Sequence, residues 1–201
     1  MSITIEQDSL RSARFMINGV GDLYPKVTRR ALTRTVKGVR KDMSSEIRAV
    51  YNLKKSYVDK SIKPFVNYSR LTGQVTVKST PVGLINFTGT KQKPLGVSVK
   101  VKKASRRKTI PHTFIETMNN GTNVWWRKKD GWQRQPDDPR KQYGAMPDKY
   151  RGIPKKLERA AGPRLNDHIS QPTVFKKLEE MAGDRLQNAV SYYTDLEMSK
   201  L

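Results

Sequence analysis

The hydrophobic positions of this chain change period three times. From Leu23 to Tyr51 the residues Leu32, Val36, Val39, Met43, Ile47 and Val50 step by four, three, four, four and three. Those steps hold them on one narrow stripe, so the segment is predicted as a single amphipathic helix over 23–51, about 43 Å long. Asp22 is a candidate N-cap and Pro25 suits the first turn. Upstream, Ile5, Leu10, Ala13 and Ile17 predict a short helix over 5–17, broken by "NGVGD" at 18–22. Downstream, Asn52 is expected to close the long helix in a left-handed conformation. Ser56 is then expected to cap a short helix with Val58 and Ile62 on its buried side, which Pro64 ends.

The middle of the chain alternates with period two. "SRLTGQVTVKST" sets Leu71, Val75 and Val77 between polar residues, with Gly73 marking a bulge or an edge position. "VGLINF" at 82–87 is a short strand candidate. "GVSVKVK" sends Val97, Val99 and Val101 inward and Ser98, Lys100 and Lys102 outward. "HTFIETM" and "TNVWWRK" are expected to pair across "NNGT", and Asp130-Gly131 predicts a further turn that lets Trp132 open an edge strand. The pattern predicts an α+β fold: an antiparallel sheet of four to six strands packed by one long N-terminal helix.

Residues 133–171 lose periodicity and carry Pro136, Pro139, Pro147, Pro154 and Pro163. A structureless stretch of this length is uncommon inside a compact domain, so it is expected to be an arm or extended loop. The last segment is helical again, with Pro172 in its first turn after Ser170 or Gln171. Val174, Leu178, Met181, Leu186, Ala189, Tyr193 and Leu196 mark its apolar side, and Gly183 weakens it slightly. The expected organisation is therefore a body over 1–132 with its sheet over about 65–132, an arm over 133–171, and a C-terminal helix over 172–201 that packs on the body or a neighbour.

Charge changes the picture. The 201 residues carry 40 Lys and Arg against 18 Asp and Glu, a formal net charge of +22. Such an excess attracts anions, and nucleic acid, acidic protein surfaces and anionic lipid are the candidate partners. The excess is patterned. Arg30, Arg34, Lys37, Lys41 and Arg48 form a second stripe on the long helix, roughly opposite the apolar one. It is either a solvated outer face or a face turned to DNA or an acidic neighbour. Lys100, Lys102, Lys103, Arg106, Arg107 and Lys108 crowd a loop between strands that could lie along a phosphate backbone. Trp125, Trp126 and Trp132 lie near Arg127, Lys128 and Lys129. They read either as base-stacking platforms or as core and interface anchors.

Little in the sequence points to catalysis. There is no cysteine, and His112 and His168 lack ligand-like spacing, which argues against a thiolate or structural zinc site. No nucleophile elbow, P-loop or H-E-x-x-H motif occurs. Asp137-Asp138 reads as a solvated loop, Glu179-Glu180 as helix surface, and His112 as a structural histidine. No carboxylate cluster suited to Mg²⁺ can be assembled, so the chain is expected to be non-enzymatic and without a cofactor. The N-terminal residues do not read as a signal peptide, and no apolar run approaches the roughly 20 residues of a membrane span.

Four stretches in order carry a resemblance. They are "ALTRTVKGVRKDM" at 31–43, "YNLKKSYVDKSI" at 51–62, "GVSVKVKKASRRKTIPHTFIETM" at 96–118 and "GIPKKLERAAGPRLNDHI" at 152–169. Together they resemble the minor tail protein Z family of tailed bacteriophages and prophages, over most of residues 23–197. The insertion-like segment 127–150 is longer and more charged than that pattern. The resemblance implies a structural virion protein that completes the head-proximal end of the tail and helps head–tail joining and DNA positioning. It implies a homo-oligomeric ring, with a hexamer the first expectation. Its partners would be the tail terminator, head-completion or connector proteins, and genomic DNA in the lumen, with no membrane contact. Location would be the virion, and the host cytoplasm during assembly. The alternative is a free architectural protein that binds nucleic acid without sequence preference.

Overall fold

The computed structural model describes residues 2–5, 23–118, 121–127 and 157–200. The fold is α+β, with a long N-terminal helix, antiparallel sheets and a C-terminal helix, as the periodicity predicts. The described chain forms two compact units interleaved in sequence. The first takes residues 1–49, 55–80 and 164–201, and the second takes 50–54 and 81–163. These units cross the expected boundaries at 132 and 171.

The first unit is built on α1 (Leu23–Val50) and α4 (Pro172–Met198). Of the predicted stripe, Leu32, Val36, Val39, Met43 and Ile47 are buried, and Val50 at the helix end is only half-buried. Each such side chain contributes about 1.5–3 kcal/mol on burial. On α4 the buried positions include Leu178, Leu186 and Ala189, while the predicted Val174, Met181, Tyr193 and Leu196 are only half-buried. Ion pairs set the register of the two helices. Glu46 meets Lys177, Asp42 meets Arg185, and Lys26 and Arg30 meet Glu197. Numbers rise on α4 as they fall on α1, so the helices run antiparallel.

The same unit holds α2 (Lys55–Ser61) and a sheet of order β1 (Ser2–Ile5), β3 (Thr72–Val77), β2 (Ile62–Asn67). Several local expectations are corrected here. Ile5 ends a strand, and the rest of the helix expected over 5–17, with "NGVGD" and Asp22, lies outside the described residues. Ser56 falls inside α2, and the helix stops at Ser61 before Ile62 opens β2. Pro64 sits within β2, opposite Val75. That strand is at an edge of its sheet, where a missing N–H is tolerated. Leu71 is in the turn before β3, at φ 50°. Gly73 is no bulge: it pairs with Ile5 on one side and Val66 on the other, in the central strand.

The second unit is mostly β. One sheet has the order β5 (Lys91–Lys93), β6 (Gly96–Val99), β7 (Lys108–Pro111). A second has the order β8 (Thr113–Met118), β9 (Gly121–Arg127), β10 (Leu157–Arg159). β4 (Pro81–Gly83) pairs with β11 (Ala161–Arg164). Among the described residues the strands are thus divided among small sheets, not gathered into one of four to six. "VGLINF" yields β4 and then a short 3-10 turn over Leu84–Asn86, which lets Phe87 reach full burial. β8 and β9 pair as expected, with Met118 opposite Gly121. The "NN" of that turn, the turn at Asp130-Gly131 and Asp137-Asp138 lie outside the described residues.

Asn52 is not left-handed. Its N–H donates to the Val101 carbonyl at 2.9 Å, and its side-chain amide donates to the carbonyls of Thr88 and Lys100. The arm expected over 133–171 holds ordered elements from Leu157 onward: β10, β11 and α3 (Leu165–Ile169), with Leu165, His168 and Ile169 buried. Residues 133–156 lie outside the described residues. Among the described residues no helix is long and apolar enough to cross a membrane.

Candidate nucleic-acid interface

The two basic clusters fall in different units. In the second unit the hairpin between β6 and β7 carries Lys102, Lys103, Arg106, Arg107 and Lys108, all exposed, while Lys100 is half-buried. The loop backbone is pinned. Tyr51 bridges Lys102, the Lys103 N–H donates to the Val50 carbonyl at 2.9 Å, and the Ser105 N–H donates to the Lys102 carbonyl. Val101 is half-buried, and Ser98, expected outward, is 1% exposed. All of β6 is buried because β5 and β7 flank it on both edges.

Arg107 is not a free cation. Its guanidinium donates to the Gly89 carbonyl and reaches the Ser98 carbonyl at 3.5 Å. Gly89 has φ 72°, and a Cβ there would lie 2.7 Å from Arg107 Nη2. Arg107 is therefore a brace that ties the hairpin to residues 89 and 98. Among the described residues the other exposed basic side chains, Lys102, Lys103, Arg106 and Lys108, have no ion-pair partner.

In the first unit the basic stripe of α1 lines two clefts. One, of about 560 Å³, is bounded by Arg29, Arg30, Thr33, Arg34 and Lys37, with Tyr68 and Tyr193. The other, of about 320 Å³, is bounded by Lys37, Arg40, Lys41 and Arg48, with Ser44, Ser45, Lys55 and Asp59. Lys37 belongs to both, so all five predicted stripe residues lie along one track. From Arg29 to Arg48 the track is about 28 Å long at the helical rise. Among the described residues Asp59 is the one carboxylate that lines either cleft. The Asp59 side chain accepts from Ser44 Oγ at 2.7 Å, and its backbone carbonyl accepts from Arg40 at 2.8 Å.

The stripe residues are not equivalent. Arg30 is tied to Glu197, and Arg34 stacks over Tyr192, with its guanidinium carbon 4.9 Å from the ring centre. Among the described residues Arg29, Lys37, Lys41, Arg48 and Lys55 have no ion-pair partner. Their charges are solvated and open to an incoming anion. Glu197 organises the end of the track. Its carboxylate is 2% exposed and takes Lys200, Lys26 and Arg30. Hydrogen bonds from Lys200 and Lys26 hold its pKa down to about 2.

The tryptophans divide. Trp125 is 2% exposed and donates its indole N–H to the Glu116 carbonyl at 3.2 Å. It is a core residue, available neither for stacking a base nor for an intersubunit contact. Trp126 is half-buried in β9, and Trp132 lies outside the described residues. The aromatics that do share a cleft with cations are Tyr68 and Tyr193, which the sequence reading missed. Arg29, Arg40 and Lys55 were missed too. A helical wheel places Arg29 and Arg40 beside the stripe, whereas the tyrosines come from remote segments and had no local signal.

His112 is exposed at φ 57° in the turn between β7 and β8, and its N–H donates to the Leu95 carbonyl. Glu179 and Glu180 are exposed on α4, as expected. Among the described residues no group of three or more His, Asp or Glu is placed to hold a metal ion. Comparison with protein-family models, curated proteins and solved structures finds no match to this chain.

Proposed function

We propose that this chain is a structural, non-enzymatic protein of a tailed-phage particle. It sits at the head-proximal end of the tail as one subunit of a homo-oligomeric ring, helps head–tail joining, and holds DNA by sequence-independent contacts. One observation carries the polyanion contact: the cationic track on α1, whose two clefts are lined by a single carboxylate among the described residues. A sequence-independent grip on DNA needs little else, because counterion release from phosphates supplies the affinity. The four sequence stretches that resemble minor tail protein Z support the placement in a tail. The exposed Lys102, Lys103 and Arg106 give the second unit a surface for DNA or an acidic neighbour.

The test is deletion and complementation in the phage that encodes the chain. The expected result is that deletion yields tails that fail to join heads, and that the chain is found in purified wild-type particles by immunoblot. Complementation with Lys102→Glu/Lys103→Glu/Arg106→Glu is expected to lower the titre by at least tenfold while the protein still folds. A chain missing from purified particles, with titre unchanged on deletion, overturns the reading. A free architectural nucleic-acid binder is the second reading, and the Tyr68 and Tyr193 rings in a cationic cleft favour it. It requires duplex or single-strand binding by a chain that never enters particles.

A further inference from the structure

The two clefts of the first unit differ in chemistry, and the difference bears on what they hold. The larger has aromatic walls, Tyr68 and Tyr193, facing arginines. Tyr68 is 48% exposed and is held in place by a 3.2 Å hydrogen bond between its hydroxyl and Thr33 Oγ1. Tyr193 is steadied by an edge-to-face contact with Tyr192, at 5.1 Å between ring centres. The smaller cleft has no aromatic residue and offers Lys37, Lys41, Arg48 and Lys55. A ring wall beside cations suits an unstacked base with its phosphate, and a continuation with five Lys and Arg against the one carboxylate of Asp59 suits the sugar–phosphate chain that follows.

Size points the same way. A cleft of about 560 Å³ falls in the range of small-molecule pockets, so a flipped or unpaired nucleotide can enter it. A base inside a duplex is stacked on both faces and cannot reach a tyrosine without being extruded.

We infer that the two clefts form one binding track for single-stranded nucleic acid. A base lies against Tyr68 at one end, and the phosphodiester backbone runs over Lys37 towards Arg48. This rests on the nucleic-acid contact in the function proposed above and narrows it to a strand type and a surface. With Arg29, Lys37, Lys41, Arg48 and Lys55 as the open cations, log Kobs against log salt is expected to slope at roughly −3.5 for a single strand.

Fluorescence anisotropy of the full chain with a 16-nucleotide oligothymidylate and with a blunt 16-base-pair duplex tests this. The single strand is expected to bind at least tenfold tighter than the duplex. Tyr68→Ala is expected to weaken single-strand binding by roughly five- to a hundredfold and to leave duplex binding unchanged. Lys37→Gln/Lys41→Gln is expected to flatten the single-strand slope by about 1.4, whereas Lys91→Gln/Lys93→Gln, exposed on β5 and outside the track, leaves it as it is. Helical signal at 222 nm confirms that each variant folds. Should Tyr68→Ala impair folding, Tyr68→Phe with Lys37→Gln takes its place: it is expected to keep the preference for the single strand and flatten the slope by about 0.7. Equal or tighter duplex binding, or a single-strand affinity indifferent to Tyr68→Ala, overturns the track while leaving a DNA contact in place. Absence of binding to either probe at low salt overturns both the track and the DNA contact.

Discussion

Arg185→Met isolates what joins the two long helices. Asp42 accepts two hydrogen bonds from Arg185, at 2.6 Å from Nε and 2.8 Å from Nη2. The Asp42 side chain is 10% exposed and the Arg185 side chain 44%. The arginine stem crosses α1 at Gly38, where a Cβ would lie 3.0 Å from Arg185 Cδ. Methionine keeps most of that stem and removes the charge. Breaking a fully buried pair costs about 3–5 kcal/mol, because the remaining charge is stranded. An exposed pair contributes about 1 kcal/mol or less. With one partner buried and the other nearly half exposed, the expected loss is about 2 kcal/mol.

Urea unfolding followed at 222 nm reads this loss, because α1 and α4 supply 28 and 27 helical residues. With a slope of about 2 kcal/mol/M the midpoint is expected to fall by about 1 M. Asp42→Ala alone and combined with Arg185→Met completes a double-mutant cycle, with an expected coupling of about 1.5 kcal/mol. The coupling is expected to persist at 0.5 M salt, because salt screens a partly buried pair much less than an exposed one. A midpoint shift under about 0.2 M, or a coupling within about 0.3 kcal/mol of zero, would refute the claim that this pair locks the helices.

Three further outcomes are expected. The Glu197 carboxylate has a folded pKa of about 2, below the 4.5 of an ordinary glutamate, so its contribution is complete above about pH 4.5 and is lost as pH falls towards 2. Glu197→Gln is therefore expected to lower Tm at pH 6 and to have little effect near pH 2, as thermal scans at both pH values would show. Gly96 has φ 147°, and a Cβ there would lie 2.0 Å from the Ile110 carbonyl oxygen. Gly96→Ala is expected to cost about 2–4 kcal/mol, read from tryptophan fluorescence, since Trp125 and Trp126 belong to the second unit. Phe87→Ala, at a fully buried site against Gly162, is expected to cost about 3–5 kcal/mol by the same probe.

Much of this protein was legible in one dimension. The 3.6-residue spacing of Leu32 to Ile47 specified α1 almost to its ends, because a buried stripe and a solvated stripe cannot be exchanged without stranding charge in a core. Pro172 marked the start of α4, and "NNGT" between "HTFIETM" and "TNVWWRK" marked the β8–β9 hairpin. The same helical arithmetic placed Arg30, Arg34, Lys37, Lys41 and Arg48 on one face, and they share one track. Other features were decided only when distant segments met. Whether a proline is tolerated, as Pro64 is, depends on which edge of a sheet its strand occupies. Arg107 looked like a free cation until the carbonyls of Gly89 and Ser98 closed around it. Tyr68 and Tyr193 stand 125 positions apart in the chain and join one cleft only through folding. Periodicity reports which side of an element meets water, since that is a local property of spacing. Which group fills a given contact is settled by the packing of elements remote in sequence, and no local pattern encodes it.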